Sequence, residues 1–408
     1  MRVLLLGADG FIGRHIKAAL LQQGDQVIEG VRCANKPGQI AVDFQRDLDS
    51  ASWLPRLQGI DAVVNCVGLF RERKPGDFET VQVIAPQALY AACRQAGVQR
   101  VLLISALGAA PDAPSAYWRS KAAGEAMLQS SGLDWHIVRP GLVYGADGAS
   151  SQLFLQLASL PLLPLPAADT LLQPIHIDDL AHGCATLLHQ PGSRIVAATG
   201  PRVLTLADYL RELSPRQRLC RLPFPDWLAN LSAQMCNALP GSLLTRDSLA
   251  MLRIGSHADN TDFAALLPAP MQTPGAFVTQ TQRLQQRLGG ARLMLRLGLA
   301  SVWLGTAVVS LWVYPAAASE QLLAACHVPA GLQAPARIAS SLLDAGFGLL
   351  TLWRPGRLLW QAQLLLTAAY TVLVALFLPD FLAHPFGPLL KNAVLVAAML
   401  ALLHTEDD

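Results

Sequence analysis

Three glycines at three-residue intervals follow the first apolar run of the chain. The run RVLLL ends at Leu6, and the next residues, GADGFIGR, contain Gly7, Gly10 and Gly13. The segment RHIKAALLQQG then has helical apolar spacing and ends at a glycine. Such a turn lets backbone amides at the positive end of a helix approach an anion closely. It predicts a strand, turn and helix that bind a dinucleotide pyrophosphate, with an ordinary structural turn as the alternative.

Apolar strand patterns recur at helix-sized intervals through the first half of the chain. The strand-like segments are DQVIEGVR, DAVVNCVG, RVLLISALG and DWHIVRPG, and PQALYAACRQAG and YWRSKAAGEAMLQSSG are helical segments between them. This alternation favours an α/β fold, a Rossmann-like doubly wound parallel sheet covered on both faces. From residue 173 to about 285 the pattern is shorter and richer in proline, which predicts a small cap. We expect residues 1–285 to form this domain.

Long apolar runs dominate the remainder of the chain. They are LGLASVWLGTAVVSLWV (297–313), IASSLLDAGFGLLTLW (338–353), LLWQAQLLLTAAYTVLVALFL (358–378) and the weaker PLLKNAVLVAAMLALLH (388–404). Each is near the length needed to cross a bilayer. We expect residues 286–408 to form a four-helix transmembrane domain, with a buried all-helical domain as the alternative. Asp344 lies inside the second run, where a carboxylate is costly, and we expect it to contact Arg337 or Lys391 or to be hydrated near the interface.

The net charge and the spacing of the cysteines bear on whether the chain binds nucleic acid or a metal ion. The formal net charge is +2 and the arginines are scattered, so nucleic acid is not an expected partner. The seven cysteines include no C-x-x-C and no metal-ligand spacing, and no metal site is expected. The first apolar run is too short for a signal-peptide core, so we expect the first domain in the cytoplasm.

Basic residues are distributed unequally around the apolar runs. Arg337 and Lys391 fall on one side, and the opposite side has six arginines: Arg283, Arg287, Arg292, Arg296, Arg354 and Arg357. Because basic residues are enriched in cytoplasmic segments, we expect both termini in the cytoplasm.

The end of the second predicted strand bears on which dinucleotide is bound. NAD sites usually place an acid there to accept from the ribose 2′-hydroxyl, whereas VIEGVR ends with Arg32, which suits a 2′-phosphate. NADP is therefore preferred over NAD. Alternatively, Arg32 is simply solvated and Glu29 turns toward the ribose. Asp43, at the end of a predicted third strand, is expected to meet the adenine, with a carboxylate of a surface loop as the alternative.

A tyrosine and a lysine four residues apart form the candidate catalytic pair. In SAYWRSK, Tyr117 and Lys121 share one helical face and can both point at the strand ends. A phenol titrates near pH 10, and a neighbouring ammonium and an oxidised nicotinamide ring, both positive, would lower that pKa and favour proton transfer. Ser105, at the end of the preceding strand, is expected to hold a substrate carbonyl by a hydrogen bond.

These motifs, in this order, resemble those of extended or atypical short-chain dehydrogenases/reductases. The segments are GADGFIG, NCVG (65–68), Ser105, the Tyr117/Lys121 pair, RPGLVYG (139–145) and QPIHIDDLA (173–181). The resemblance covers about residues 1–285 and is strongest to the branch of the complex I 39 kDa subunit. It implies further cofactor contacts from Phe11, Ile12, Val67, Gly68, Pro140 and Val143, and also from Tyr117 and from Lys121, which is expected to contact the ribose.

The carboxy-terminal part resembles DoxX-like four-helix membrane domains, which occur fused to such reductases in bacteria. Together the resemblances imply an NAD(P)-dependent oxidoreductase of a bacterial inner membrane, acting on an apolar carbonyl, alcohol or quinone-related substrate. The alternative is a non-catalytic nucleotide-binding subunit of a respiratory or quinone-related membrane complex, because some members of the branch hold the nucleotide as a structural ligand. Asp9 departs from the usual Thr or Ser of the glycine turn, and its charge is expected to weaken phosphate binding unless it caps the helix. His176 is expected to pack before a helix that Asp178 caps.

Overall fold

The computed structural model describes residues 1–98, 100–160, 162–215, 220–222, 246–381 and 390–405. The chain divides into two compact units, Met1–Gln286 and Arg287–Asp408. Part of the predicted cap, residues 216–219 and 223–245, and the first two residues of the fourth apolar run lie outside the described residues.

The first unit is built on a seven-stranded parallel sheet. Its strands are β1 (Arg2–Leu6), β2 (Gln26–Val31), β3 (Gln39–Ala41), β4 (Ala62–Asn65), β5 (Arg100–Ile104), β6 (Asp134–Pro140) and, after four short strands, β11 (Arg194–Ala198). Their order across the sheet is β11-β6-β5-β4-β1-β2-β3, and all neighbours pair in parallel. The order reverses between β1 and β4, so a crevice opens there at the carboxyl ends of the strands. The predicted Rossmann-like fold is confirmed.

Helices cover both faces of the sheet. The helices up to residue 213 are α1 (Phe11–Gln22), α2 (Ser50–Trp53), α3 (Asp77–Glu79), α4 (Ala85–Ala96), α5 (Ala116–Gln129), α6 (Ala149–Ser159), α7 (Ile177–Leu188) and α8 (Leu206–Leu213). Of these, α6 and α8 pack in the cap. A π-helical turn, Thr80–Ile84, precedes α4. One apolar core joins α1 and α7 to one sheet face, and a second joins α2 and α4 to the other. The continuous apolar runs of β1 and β4 follow from this burial on both faces.

The segment after residue 173 corrects the predicted boundary between sheet and cap. Helix α7 packs on α1 in the main core, and β11 extends the sheet by pairing with β6. RIVAA was missed as a strand because it is short and two of its five side chains are exposed. The cap of α7 also differs from the expectation, because Nδ1 of His176, not Asp178, accepts from the first-turn amide of Asp178.

The cap itself has a separate apolar core. Its short strands are β7 (Val143–Tyr144), β8 (Leu162–Pro164), β9 (Leu171–Leu172), β10 (Ile175–His176), β12 (Leu204–Thr205) and β13 (Cys220–Leu222). They pair two by two, β7 with β10, β9 with β12 and β8 with β13. Helices α9 (Arg246–Ile254) and α10 (Thr261–Ala264) follow. The buried rings of Tyr144, Tyr209 and Phe277 lie in the core of the cap.

The second unit is helical. Its elements are α11 (Gln280–Val308), which begins before the unit boundary, then α12 (Ala316–Ala325), α13 (Ala330–Trp353), α14 (Arg357–Phe377) and α15 (Leu390–Thr405). Two described segments are long and apolar enough to cross a bilayer, Gln280–Val313 and Arg357–Phe377, and Leu390–Thr405 is a shorter apolar helix. The predicted count of four crossing helices is not confirmed, since α13 is not among the qualifying segments and α15 is shorter than they are.

Asp344 differs from both expectations for it. It is only 4% exposed, so it is not hydrated at a surface, and its Oδ1 has no hydrogen-bond partner in the described part of the chain. Arg337 instead lies near Glu320 and donates to the Ser310 carbonyl. The carboxyl group is therefore buried between helices, with no counter-charge among the described residues.

Candidate functional site

The glycine turn is shaped by contacts that side chains would block. Gly7 has φ +75° and its amide donates to the Gly30 carbonyl, which ties the turn to β2. A Cβ on Gly13 would lie 2.1 Å from the Gly7 carbonyl oxygen, so α1 can begin here only without a side chain. No side chain caps α1, whose N-cap is Gly10, and Asp9 is exposed. The first-turn amides are left for an anion, as the pyrophosphate prediction requires.

The other predicted contacts of the glycine turn surround it. Phe11 lies against the loop at Gly145 and Gly148, and Ile12 packs on the core below the turn. Val143 is half-buried beside the same core, while Pro140 is buried at the end of β6. The structure thus brings Phe11, Ile12 and Val143 to one core, and Pro140 ends the neighbouring strand.

The carboxylate of Glu29 is engaged away from a ribose. It accepts from the Lys17 ammonium on α1 and, at 3.4 Å, from the Gln39 amide on β3. The hydrogen bond from Lys17 lowers the pKa of Glu29 below its usual value. Arg32 follows directly after β2, is exposed, and makes no hydrogen bond or ion pair with any described residue. The strand end therefore offers a free guanidinium and no free carboxylate.

Asp43 lies after β3, as predicted, but its carboxylate contacts groups of the turn in which it lies. It accepts from the Gln45 amide at 3.0 Å and lies 3.5 Å from the Arg46 guanidinium. Contact with adenine stays a prediction.

The end of β4 meets the glycine turn. A Cβ on Gly7 would lie 3.3 Å from Val67, and the Asn65 side chain holds the bend by accepting from the Val67 amide. A Cβ on Gly68 would lie 2.8 Å from Nζ of Lys121. Val67 and Gly68 thus stand between the predicted pyrophosphate site and the predicted catalytic helix.

Lys121 is held on α5 in a buried position. It is 7% exposed, and its ammonium donates to the Ile104 carbonyl at 3.1 Å, at the end of β5. Burial lowers its pKa to about 8, and the nearby Cys66 and Glu125 partly oppose that effect. Near neutral pH the side chain remains a cation with donors to spare.

Tyr117 lies one turn earlier on α5, in an aromatic setting. Its ring centroid is 5.1 Å from that of Phe70 and 6.4 Å from that of Phe78, and its hydroxyl bonds to no described residue. Burial raises the pKa of the phenol to about 12. The expectation that Lys121 lowers this pKa is not met in the structure, in which burial raises it. Tyr117 is therefore a protonated phenol, suited to donate a proton.

Ser105 follows β5 as predicted, yet its hydroxyl points at another protein group. It donates to the buried carboxylate of Glu125, which also accepts from Nε and Nη2 of Arg139 on β6. To hold a substrate carbonyl, Ser105 would have to give up this bond, and that role stays a prediction. Glu125 and Arg139 were missed by the sequence interpretation, although Glu125 follows Lys121 by four residues, the spacing of one helical face.

Two family models match the chain. Residues 7–191 match a family described as NAD(P)H-binding, and residues 300–400 match the DoxX-like family. A mitochondrial NADH dehydrogenase [ubiquinone] 1 alpha subcomplex subunit 9 from Mus musculus is 28% identical over 247 residues. That alignment covers 56% of this chain and 66% of the relative, so the chain spans slightly less than two thirds of that relative's length.

A ceramide reductase from Caulobacter vibrioides is 30% identical over 239 residues, which cover 55% of this chain and 75% of the relative. The chain belongs to the NAD(P)-binding short-chain dehydrogenase/reductase-like family. Among solved structures, a human epimerase family protein with NADPH has a TM-score of 0.52 at 21% identity, covering 67% of this chain and 96% of that chain. At this identity the likeness concerns the fold. The predicted resemblance of both parts of the chain, the second DoxX-like, is confirmed.

The family match is to NAD(P)H-binding proteins, and the glycine turn is the candidate site for such a nucleotide. The turn meets the requirements of such a ligand, with close backbone approach at Gly7 and uncapped amides at the start of α1. The roles of the individual residues remain predictions.

Proposed function

We propose that the chain is a membrane-anchored oxidoreductase that uses NADP(H) to reduce an apolar carbonyl compound. The observation that carries the proposal is the free phenol hydroxyl of Tyr117, one helical turn from the buried Lys121 ammonium beside Gly68. When bound, the nucleotide supplies the hydride, and Tyr117 donates the proton to the oxygen of the substrate. Lys121 binds the nucleotide ribose. Ser105 orients the carbonyl after exchanging its bond to Glu125.

The preference for NADP over NAD rests on charge at the end of β2. Arg32 is free and exposed there, whereas Glu29 is paired with Lys17. A guanidinium matches a 2′-phosphate by charge and geometry, and a paired carboxylate is a poor acceptor for a 2′-hydroxyl.

An apolar substrate, a lipid-derived carbonyl or a quinone, is proposed from the helical domain and from one relative. The DoxX-like domain contains two segments of membrane-crossing length, and such an anchor would keep the site near a bilayer. The relative named ceramide reductase has a lipid in its name.

We propose a bacterial inner membrane with both termini in the cytoplasm. Support comes from the helical unit, where Arg296 donates to the Thr351 and Leu352 carbonyls and thus lies at the same end of the helices as Arg354 and Arg357. Arg337 contacts the Ser310 carbonyl at the other end. The excess of arginines marks the cytoplasmic end.

A second candidate function is a nucleotide-binding subunit of a respiratory or quinone-related complex, without turnover. This function is favoured by the hydrogen bond from Ser105 to Glu125, because the hydroxyl predicted to hold the substrate carbonyl is already engaged. The mouse relative is named as a subunit of NADH dehydrogenase.

Single-turnover oxidation of bound NADPH tests the first proposal against the second. Purified full-length protein in micelles is mixed with NADPH and then with a membrane lipid extract, and the nucleotide fluorescence is followed. Loss of fluorescence with appearance of a reduced lipid supports the enzyme. Two results together support the subunit. NADPH is retained stoichiometrically and stays reduced after the extract is added, and the protein co-purifies with other membrane proteins.

A further inference from the structure

Gln82 is a buried amide beside Lys121 that the sequence interpretation did not single out. It lies in the π-helical turn Thr80–Ile84 and is 5% exposed. Irregular turns of this type are frequent at functional sites because they redirect a side chain. A Cβ on Gly124 would lie 2.4 Å from the Gln82 carbonyl oxygen, so α5 packs directly on this turn.

The orientation of the Gln82 amide is fixed by its partners. Nε2 donates to Oγ of Ser120 at 2.8 Å and to the Leu69 carbonyl at 3.4 Å. The Ser120 hydroxyl donates its own proton to the Tyr117 carbonyl, so it can only accept from Gln82. A carbonyl oxygen also cannot donate, so a reversed amide would face two acceptors. Oε1 must therefore point away from both.

Oε1 of Gln82 is buried and has no hydrogen-bond partner in the part of the chain that the structure describes. It lies 3.7 Å from the position of a Cβ on Gly68, and Nζ of Lys121 lies 2.8 Å from the same point. An unsatisfied acceptor thus stands beside an ammonium that uses one of its three donors, for the Ile104 carbonyl. A buried acceptor without a donor is costly, which favours a ligand that supplies one.

We propose that Gln82 and Lys121 together bind one hydroxyl of the nicotinamide-side ribose, an inference that rests on the proposed NADP(H) binding. The hydroxyl accepts from Nζ of Lys121 and donates to Oε1 of Gln82. Since a hydroxyl can do both at once, it satisfies both groups, whereas an ether or carbonyl oxygen would leave Oε1 without a donor. Gln82 is thus a specificity residue for the ribose half of the nucleotide.

Three nucleotides test the proposal by calorimetric titration of the full-length protein in micelles. NADPH and 2′-phospho-ADP-ribose contain the second ribose, and 2′,5′-ADP lacks it. Gln82→Met keeps the length of the side chain and removes Oε1. We expect roughly three- to tenfold weaker binding of the first two ligands, the value of one hydrogen bond, and unchanged binding of 2′,5′-ADP. Gln87→Met, at an exposed site on α4, is the matched control and should change none of the three affinities.

Equal affinities of wild type and Gln82→Met for all three ligands would overturn the proposal, as would an equal loss for all three. If the Met variant does not fold, Gln82→Asn is used instead; its shorter side chain withdraws the acceptor, and the same selective loss is expected for the two ribose-containing ligands, whereas unchanged binding of all three ligands or an equal loss for all three would again overturn the proposal. Failure of wild type to bind any of the three refutes the NADP(H) proposal itself. Binding by wild type without a ribose-dependent difference refutes only the role of Gln82.

Discussion

Replacing Tyr117 with phenylalanine should abolish most turnover and little else. The hydroxyl bonds to no described residue, and the ring contacts with Phe70 and Phe78 survive in the variant. The free energy of unfolding should therefore change by less than about 0.5 kcal/mol, the range of substitutions that break no contact. NADPH affinity should also change little, because the variant keeps the ring of Tyr117 and all the other proposed cofactor contacts.

The expected loss of rate in Tyr117→Phe follows from the role of the phenol as a proton donor. With a pKa of about 12, it is about five pH units from titration at neutrality, and only about one molecule in 10⁵ carries a phenolate. Tyr117 should therefore act as a proton donor in reduction. Proton transfer by a positioned group contributes about 10²- to 10⁴-fold, which corresponds to about 3–5 kcal/mol of barrier.

Stopped-flow fluorescence of NADPH, with a long-chain ketone or a quinone in mixed micelles, measures the single-turnover rate. Tyr314→Phe, at an exposed tyrosine of the helical unit, is the matched control and should leave the rate unchanged. Lys121→Ala should lower both rate and NADPH affinity. An unchanged rate in Tyr117→Phe, or a loss of NADPH affinity as large as the loss of rate, would refute the assignment.

Four further predictions concern charge. Arg32→Asp should lower NADPH affinity and favour NADH in fluorescence titrations; a wild type that binds NADH more tightly contradicts the assignment. Asp9→Ser should strengthen NADPH binding severalfold, since it removes a negative charge from the phosphate turn, and calorimetry showing no gain would place that charge away from the phosphates. The Lys121 pKa of about 8 lies below its ordinary 10.5, so the ammonium is present below pH 8 and NADPH affinity should fall as pH rises through 8; a flat profile from about pH 6 to pH 10 argues against the contact. Asp344→Leu should raise the melting temperature, because it removes a buried unpaired carboxyl costing about 1–3 kcal/mol, and a lower melting temperature or yield would indicate a partner for Asp344.

Local sequence patterns predicted much of the fold because strand and helix periods alternate clearly. The glycines fixed the first turn, and Gly97 ends α4 with φ +79°, as a C-cap glycine does. The strand Arg194–Ala198 was missed because its pairing with β6 is a long-range contact that five residues do not reveal. Sequence spacing placed Tyr117 and Lys121 on one helix, but the direction of each polar atom depends on tertiary neighbours. The Ile104 carbonyl, Glu125 and Gln82 come from distant or unremarkable positions, so the bonds of Lys121 and Ser105 could not be predicted.

Because of the hydrogen bond between Ser105 and Glu125, the presence of Ser105 in a sequence does not by itself indicate catalysis, whereas the presence of Tyr117 does. Glu125 is buried and accepts three hydrogen bonds, one from Ser105 and two from Arg139, so loss of the Ser105 hydroxyl would weaken the packing of α5 on the end of β5 as well as any chemistry. A lineage that had abandoned catalysis would still be selected to keep this serine, for the sake of folding. The Tyr117 hydroxyl bonds to no described residue, so it has no comparable structural role. Among related chains, the tyrosine should therefore distinguish enzymes from structural subunits. The serine should be present in both groups and would not distinguish them.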